Sequence, residues 1–368
     1  MSRILVLGAG FGGCTAAYKL RKTGHDVVVL EGAPVPGGGC WTRFYGGHPY
    51  TFGPRVFFSR DERIIEQLRS LVEIRQFYTR TWTYVAGDGQ LYNYPLQKED
   101  IPRMPERERI EAELSERRQP PGSVENFEDY WLKVVGPTLY GKFVDSYSKK
   151  MWGIESNQEL SVSFDWVNKG TPIRDGDNRL YTDQFQGYPS NLDGYNPYFT
   201  KCLADCEFHP RCFIKRFDPK NMRVEVEGGE FRGDVVINTI YPDLLFDFCF
   251  GRLRFSGRTF LPFVLPVEQA MPDDVTWVHY SGDEAFTRIT EFKKITGYES
   301  PHTLLGMEIP SEEGRYYPVQ VKEEIERFKR YQELFPPHFY SIGRLGRFKY
   351  QGIPESIGDG IDVAEAIG

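Results

Sequence analysis

The chain has 368 residues, too many for one small core, so two or three packed subdomains are expected. Its 45 Lys and Arg against 52 Asp and Glu leave a formal charge of −7, which argues against broad nucleic-acid binding but lets a few arginines hold a small anion. No uncharged apolar run approaches the roughly 18–20 residues of a membrane span, no charged-then-apolar leader opens the chain, and six cysteines do not make a disulfide framework, so a soluble, cytoplasmic protein is expected.

Residues 4–7 form an apolar run ending in Gly8, Ala9, Gly10, Phe11, Gly12 and Gly13. A helical pattern over 14–21 follows, closed by Gly24 as a C-cap, and 26–30 is a second, valine-rich run. Together they make a βαβ unit. Over 62–72, Ile64, Ile65, Leu68, Leu71 and Val72 fall on one helical face, and 77–96 reads as a hairpin around Gly87, Asp88 and Gly89. The charged stretch 98–118 reads as a solvated helix with a Pro-Pro-Gly turn after it; 127–147 reads as one or two helices broken at Gly136-Pro137. Residues 153–200 show little helical period and read as loop and short strand, with a helix over 198–204. Strands are expected over 212–240, where 235–238 resembles a buried parallel strand returning to the first sheet, and again over 255–310. A helix over 321–334 and a last strand at 339–344 entering a glycine-rich turn complete the series.

Gly8, Gly10 and Gly13 after a strand and opening a helix form a dinucleotide fingerprint. The first two permit a tight turn and close backbone approach to a pyrophosphate, and the third lets the helix pack on the strand. The helix N-terminus, from Phe11, supplies N–H groups and a positive dipole. Glu31 at the end of the second strand is placed for an adenosine ribose. FAD and NAD share this pattern, but a second glycine turn at Gly37, Gly38 and Gly39, and Gly343-Arg344 after a late strand, point to FAD. Aromatic residues reach 15 %, many of them among Gly, Pro and Arg, where they offer faces for ring stacking.

Several further motifs, in order over nearly the whole chain, together resemble the UDP-galactopyranose mutase family of flavoproteins. They are Gly53-Pro54-Arg55-Val56-Phe57-Phe58, Tyr147 through Gly153, Pro172-Ile173-Arg174 with Tyr181 and Phe185-Gln186-Gly187, Thr287 through Glu291, Tyr316-Tyr317-Pro318-Val319, and Gly343 through Tyr350. The resemblance implies a redox-neutral isomerase that interconverts the pyranose and furanose forms of a nucleotide-linked hexose through a sugar adduct at N5 of reduced FAD. UDP-galactose is the default substrate, with a GDP- or dTDP-sugar as alternatives, and galactofuranose for cell-surface polysaccharide synthesis is the implied use. NAD(P)H as external reductant and a homodimer are the implied partners.

The residues suit those needs. A planar, permanently charged fork pairs diphosphate oxygens, which makes Arg174 and Arg288 the expected diphosphate ligands, with hydroxyls from Tyr181, Tyr316, Tyr317 and Tyr350. Arg174 lies in Gly- and Asp-rich sequence, as a closing lid would. Phe143 and Tyr147 are candidates for base stacking, Trp152 for a wall against the sugar, and Arg344 for a flavin or phosphate contact. Arg55 and Phe58 stand where the family carries histidines, Val144 where an aromatic is common, and no acid follows Tyr350 in Gln351-Gly352-Ile353-Pro354. These departures fall around sugar and base, and Arg55 becomes a candidate for sugar specificity.

The implied fold is α/β: a Rossmann-like FAD-binding domain from 1–76, 201–254 and 335–368, a helical insert at 98–152, and an antiparallel sheet domain from 77–97, 153–200 and 255–334. Cys202, Cys206, His209 and Cys212 have spacings that suggest zinc, but buried cysteines behave as small hydrophobes and no metal is expected. An amine-oxidase-like flavoenzyme, which would favour an apolar substrate cavity, and a non-catalytic nucleotide-sugar-binding flavoprotein are the competing readings.

Overall fold

A computed structural model of the chain describes residues 1–117, 123–161, 173–272 and 274–368. Among these, a parallel sheet runs in the order Glu207–His209, Asp26–Leu30, Arg3–Leu7, Val235–Asn238 and Phe339–Ser341. Its central strands are valine- and leucine-rich and buried, as strands covered on both faces must be. On one face lies the helix Phe11–Lys22. On the other, the meander Ile214–Asp218, Arg223–Val226 and Gly229–Arg232 brings Phe217 and Val224 against Leu5, Leu7 and Val28.

Gly13 shows why that first helix can sit so low. A Cβ there would stand 2.1 Å from the Gly8 carbonyl oxygen. The helix Ile353–Ile367, which the sequence reading does not anticipate, packs along Phe11–Lys22. Its glycines dilute the helical signal, yet a Cβ at Gly360 would stand 2.6 Å from the Gly12 carbonyl, so glycine permits the close crossing.

A larger sheet runs in the order Tyr317–Pro318, Phe255–Leu265, Thr303–Ser311, Arg288–Glu291, Val275–Tyr280, Arg80–Val85 and Gln90–Tyr94. It is antiparallel except between Val275–Tyr280 and Arg80–Val85, which run parallel. The hairpin lies at 80–94. A smaller antiparallel group joins Phe57–Ser59, Phe185–Pro189 and Ile74–Gln76.

The helical part comprises Arg107–Glu116, Phe127–Val135, Pro137–Tyr140 and Ser146–Trp152, with Gly136 at positive φ marking the break. The charged stretch 98–118 is not one helix: Lys98–Arg103 forms a short 3-10 turn containing Pro102, which cannot continue an α-helix. Of the turn expected at 119–123, residues 119–122 lie outside the described residues, as does Pro172 of the Arg174 motif. The helix expected at 198–204 spans Asn196–Leu203, because Pro197 suits a first turn.

Candidate active site

One cavity of about 760 Å³ runs from the end of the parallel sheet to the large sheet and the helical part. Gly8, Gly10, Phe11, Glu31, Gly38, Gly39 and Arg344 line it, as do Arg55, Phe143, Arg174, Tyr181, Arg288, Tyr316 and Tyr350. Gly13 lies beneath the turn instead and acts through packing. Tyr147 and Trp152 line a smaller recess that shares residues with the cavity. Tyr317 is buried behind the wall, stacked on Tyr350 with centroids 5.8 Å apart.

The dinucleotide end is built from backbone. Gly8 sits at φ +99°, and a Cβ at Gly10 would meet nothing within 4 Å, which leaves the mouth of the helix open. No side chain caps that helix, so its first N–H groups are available to an anion. The Glu31 carboxylate accepts from the Ala9 N–H at 2.7 Å and the Ala33 N–H at 2.8 Å, which fixes it at the cavity edge. A Cβ at Gly38 would also meet open space. This open, glycine-lined cradle fits the diphosphate and ribose of FAD.

The opposite end is built from charged and aromatic side chains. Arg174 donates to the carbonyls of Arg179 at 2.6 Å and Leu180 at 3.1 Å and has no carboxylate ion-pair partner among the described residues. Half-burial lowers its pKa, against the pull of Asp177 and Tyr94. Arg288 is held differently. Its Nε and Nη2 make a two-pronged pair with Glu308 at 2.8 and 2.7 Å. Burial opposes both charges, but each holds the other ionised: the arginine pKa is raised and the glutamate pKa lowered. His279, opposite Arg288 on the next strand, accepts from the Trp277 indole N–H at 3.2 Å. Burial, then the Arg288 charge, press its pKa down to about 3, so the imidazole is neutral.

Arg55 faces Tyr317 and Glu308; burial disfavours its charge, but these neighbours and Cys40 raise its pKa, and its Nε lacks a partner among the described residues. Burial would raise the Tyr317 pKa, yet Arg55, Arg344 and Arg258 bring it down to about 8. Arg344 donates to the Gln351 carbonyl at 2.7 Å and lies over the Tyr317 ring at 4.7 Å. Phe58 stacks on Tyr181 with centroids 4.0 Å apart. Of these residues Glu308 and His279 escape the sequence reading. Each occupies an ordinary strand position, and knowing that Arg288 stands opposite both would have singled them out.

Fold and site together define a Rossmann-like dinucleotide-binding protein with an added chamber lined by arginines and tyrosines, and residues 6–71 match the NAD(P)-binding Rossmann-like domain. Residues 142–350, more than half the chain, match the family model described as UDP-galactopyranose mutase, and the chain belongs to that family. It is 25 % identical to dTDP-fucopyranose mutase of Escherichia coli, over 99 % of this chain and 98 % of that one. It is 24 % identical to UDP-galactopyranose mutase of Mycoplasma pneumoniae, over 99 % of this chain and 95 % of the relative. The crystal structure of reduced UDP-galactopyranose mutase superimposes with a TM-score of 0.85 at 17 % identity, over 100 % of this chain and 95 % of that one. The chain is therefore an isomerase of a flavoprotein family, with FAD as its cofactor. Among the described residues no helix is long and apolar enough to cross a membrane.

Proposed function

We propose that this isomerase interconverts the pyranose and furanose forms of a hexose linked to a nucleoside diphosphate. The observation that carries the reading is the continuous cavity joining a glycine-lined dinucleotide cradle to an arginine- and tyrosine-lined chamber. Reduced FAD, when bound, supplies a nucleophilic nitrogen, N5, for the anomeric carbon without net consumption of electrons. NAD(P)H is the proposed source of the reduced form.

The diphosphate must leave the anomeric carbon and stay within reach for recapture. Arg174 and Arg288 hold it throughout, because charge-assisted contacts persist after the bond to the sugar breaks. The hydroxyls of Tyr181, Tyr316 and Tyr350 add neutral donors around the same oxygens. Glu308 turns one edge of the Arg288 fork inward, leaving the remaining N–H groups for the ligand. Phe143 and Tyr147 flank the base, Trp152 backs the sugar through its edge contacts with Tyr317 and Tyr350, and Arg55 lies beside the second glycine turn.

Reduced enzyme incubated with UDP-, dTDP- and GDP-hexopyranoses should give isomeric products separable by chromatography, and cyanoborohydride should trap a sugar–flavin product. Equal turnover by oxidised or flavin-free enzyme overturns the reading, as does net bleaching of the flavin by substrate.

A further inference from the structure

In the large sheet Arg288 stands in the middle of a cross-strand row, directly opposite His279 on one neighbouring strand and Glu308 on the other. Glu308 holds the edge of its fork. The flat face meets a different group: the guanidinium carbon lies 5.6 Å from the centre of the Trp277 ring. That is within reach of a cation–π contact, which is strongest on indole. Trp277 and His279 are two positions apart on one strand, so both side chains fall on the same face of the sheet, and both line the cavity.

The indole needs a partner of its own. Trp277 is 5 % exposed, and its N–H, a group that only donates, meets Nε2 of His279 at 3.2 Å. Nε2 is therefore the bare nitrogen, and the imidazole proton is on Nδ1. An imidazolium could not accept this bond and would set like charge opposite Arg288. Burial and that arginine keep the ring neutral. The ring is also wedged in place, edge-to-face against Tyr94 and Tyr147 with centroids 5.2 and 5.5 Å apart.

We infer that His279 and Trp277 are positioning residues for the diphosphate: Nε2 of His279 fixes the tilt of the indole, and the indole face holds Arg288 flat beside Glu308. An arginine held at both edge and face needs little ordering when a phosphate arrives, so less affinity is lost to it. The assignment rests on the function proposed above, which puts the diphosphate at Arg288. Without an acceptor at position 279 the buried N–H is left unpaired, a costly state that turning the indole relieves. The turned ring then leaves the guanidinium face unsupported.

Calorimetric titration of the FAD-loaded protein with UDP, dTDP and GDP tests this, read on whichever of the three the wild-type protein binds most tightly. His279→Leu removes the acceptor and should weaken binding about 10-fold. His279→Gln, whose amide oxygen can take the same N–H, should keep the wild-type affinity. Trp277→Phe added to His279→Leu removes the stranded N–H, keeps a ring under Arg288, and should bring most of the affinity back. A role in packing alone predicts the opposite order, because the double variant loses more buried contact than the single one. Wild-type affinity in His279→Leu overturns the assignment while leaving the nucleotide site intact. Equal losses in the Leu and Gln variants, or a loss in the double variant as large as that of His279→Leu, overturn it too. Failure of the wild-type protein to bind any of the three overturns the proposed function, and the assignment with it.

Discussion

The two ends of the cavity are made by opposite means. At the dinucleotide end, bare backbone approaches the ligand: Gly8 and Gly10 keep side chains away, and Glu31 is pinned by two N–H groups. At the other end, large side chains are held at a distance by one another, with Arg288 on Glu308 and Arg174 on two loop carbonyls. A substitution at the first end acts through close packing. At the second it acts through the balance of buried charge.

The largest effect expected is that of Arg288→Ala. It strands the Glu308 carboxylate, 4 % exposed, and breaking such a pair costs about 3 kcal/mol, the lower end for buried pairs because Arg55 and Arg258 still face the acid. Arg174→Ala strands no carboxylate. It should lower kcat/KM about 10-fold, as loss of a charge-assisted phosphate contact does, with the urea midpoint unmoved. Equal midpoints for the two variants would break the distinction drawn between the arginines.

At the dinucleotide end, Gly13→Ala places a methyl against the Gly8 carbonyl and should cost about 2–3 kcal/mol in urea unfolding. The turn must shift to relieve it, so FAD retention, read by flavin fluorescence, should fall as well. Arg174→Ala should retain FAD fully. Wild-type flavin retention by Gly13→Ala would show that the turn does not need this close approach.

Why the two ends differ in legibility follows from the same contrast. Gly8, Gly10, Gly13 and Glu31 lie within one βαβ unit, so local spacing carries their meaning. Arg174 and Arg288 enter through a resemblance of motifs. Glu308 lies 20 positions from Arg288 and meets it only through the register of two antiparallel strands. Tyr317 shows a further limit: its neighbours give it both its burial and its charge environment, which no spacing reveals. The final helix is hidden by its own glycines, which are small for the sake of the crossing.

Arg55 gives a smaller test of the chamber. Its guanidinium adds a permanent charge with five donors, where histidine would offer a neutral ring at neutral pH. Arg55→His should change the ratio of kcat/KM between two UDP-linked hexopyranoses that differ only in the sugar, by about 3–10-fold. Equal losses on every substrate would reduce Arg55 to a partner of Glu308.

The subtlest consequence is a titration. Tyr317 has a pKa of about 8 in the folded protein, with Arg55 the leading charge that holds it down against burial. An unfolded tyrosine titrates near 10. Between those values the unfolded chain binds more protons than the folded one, so stability should rise as pH increases from about 8 to about 10. The gain is complete above about 10 and is lost as pH falls through about 8. Tyr317→Phe should remove this rise from the pH dependence of urea unfolding, and it should remove a tyrosinate absorbance step near pH 8. Arg55→His, neutral in that range, should keep the step but move it upward toward about 10. A step that stays near pH 8 in Arg55→His would assign the depression to Arg344 and Arg258, and would detach Arg55 from the charge balance that sets this end of the cavity apart.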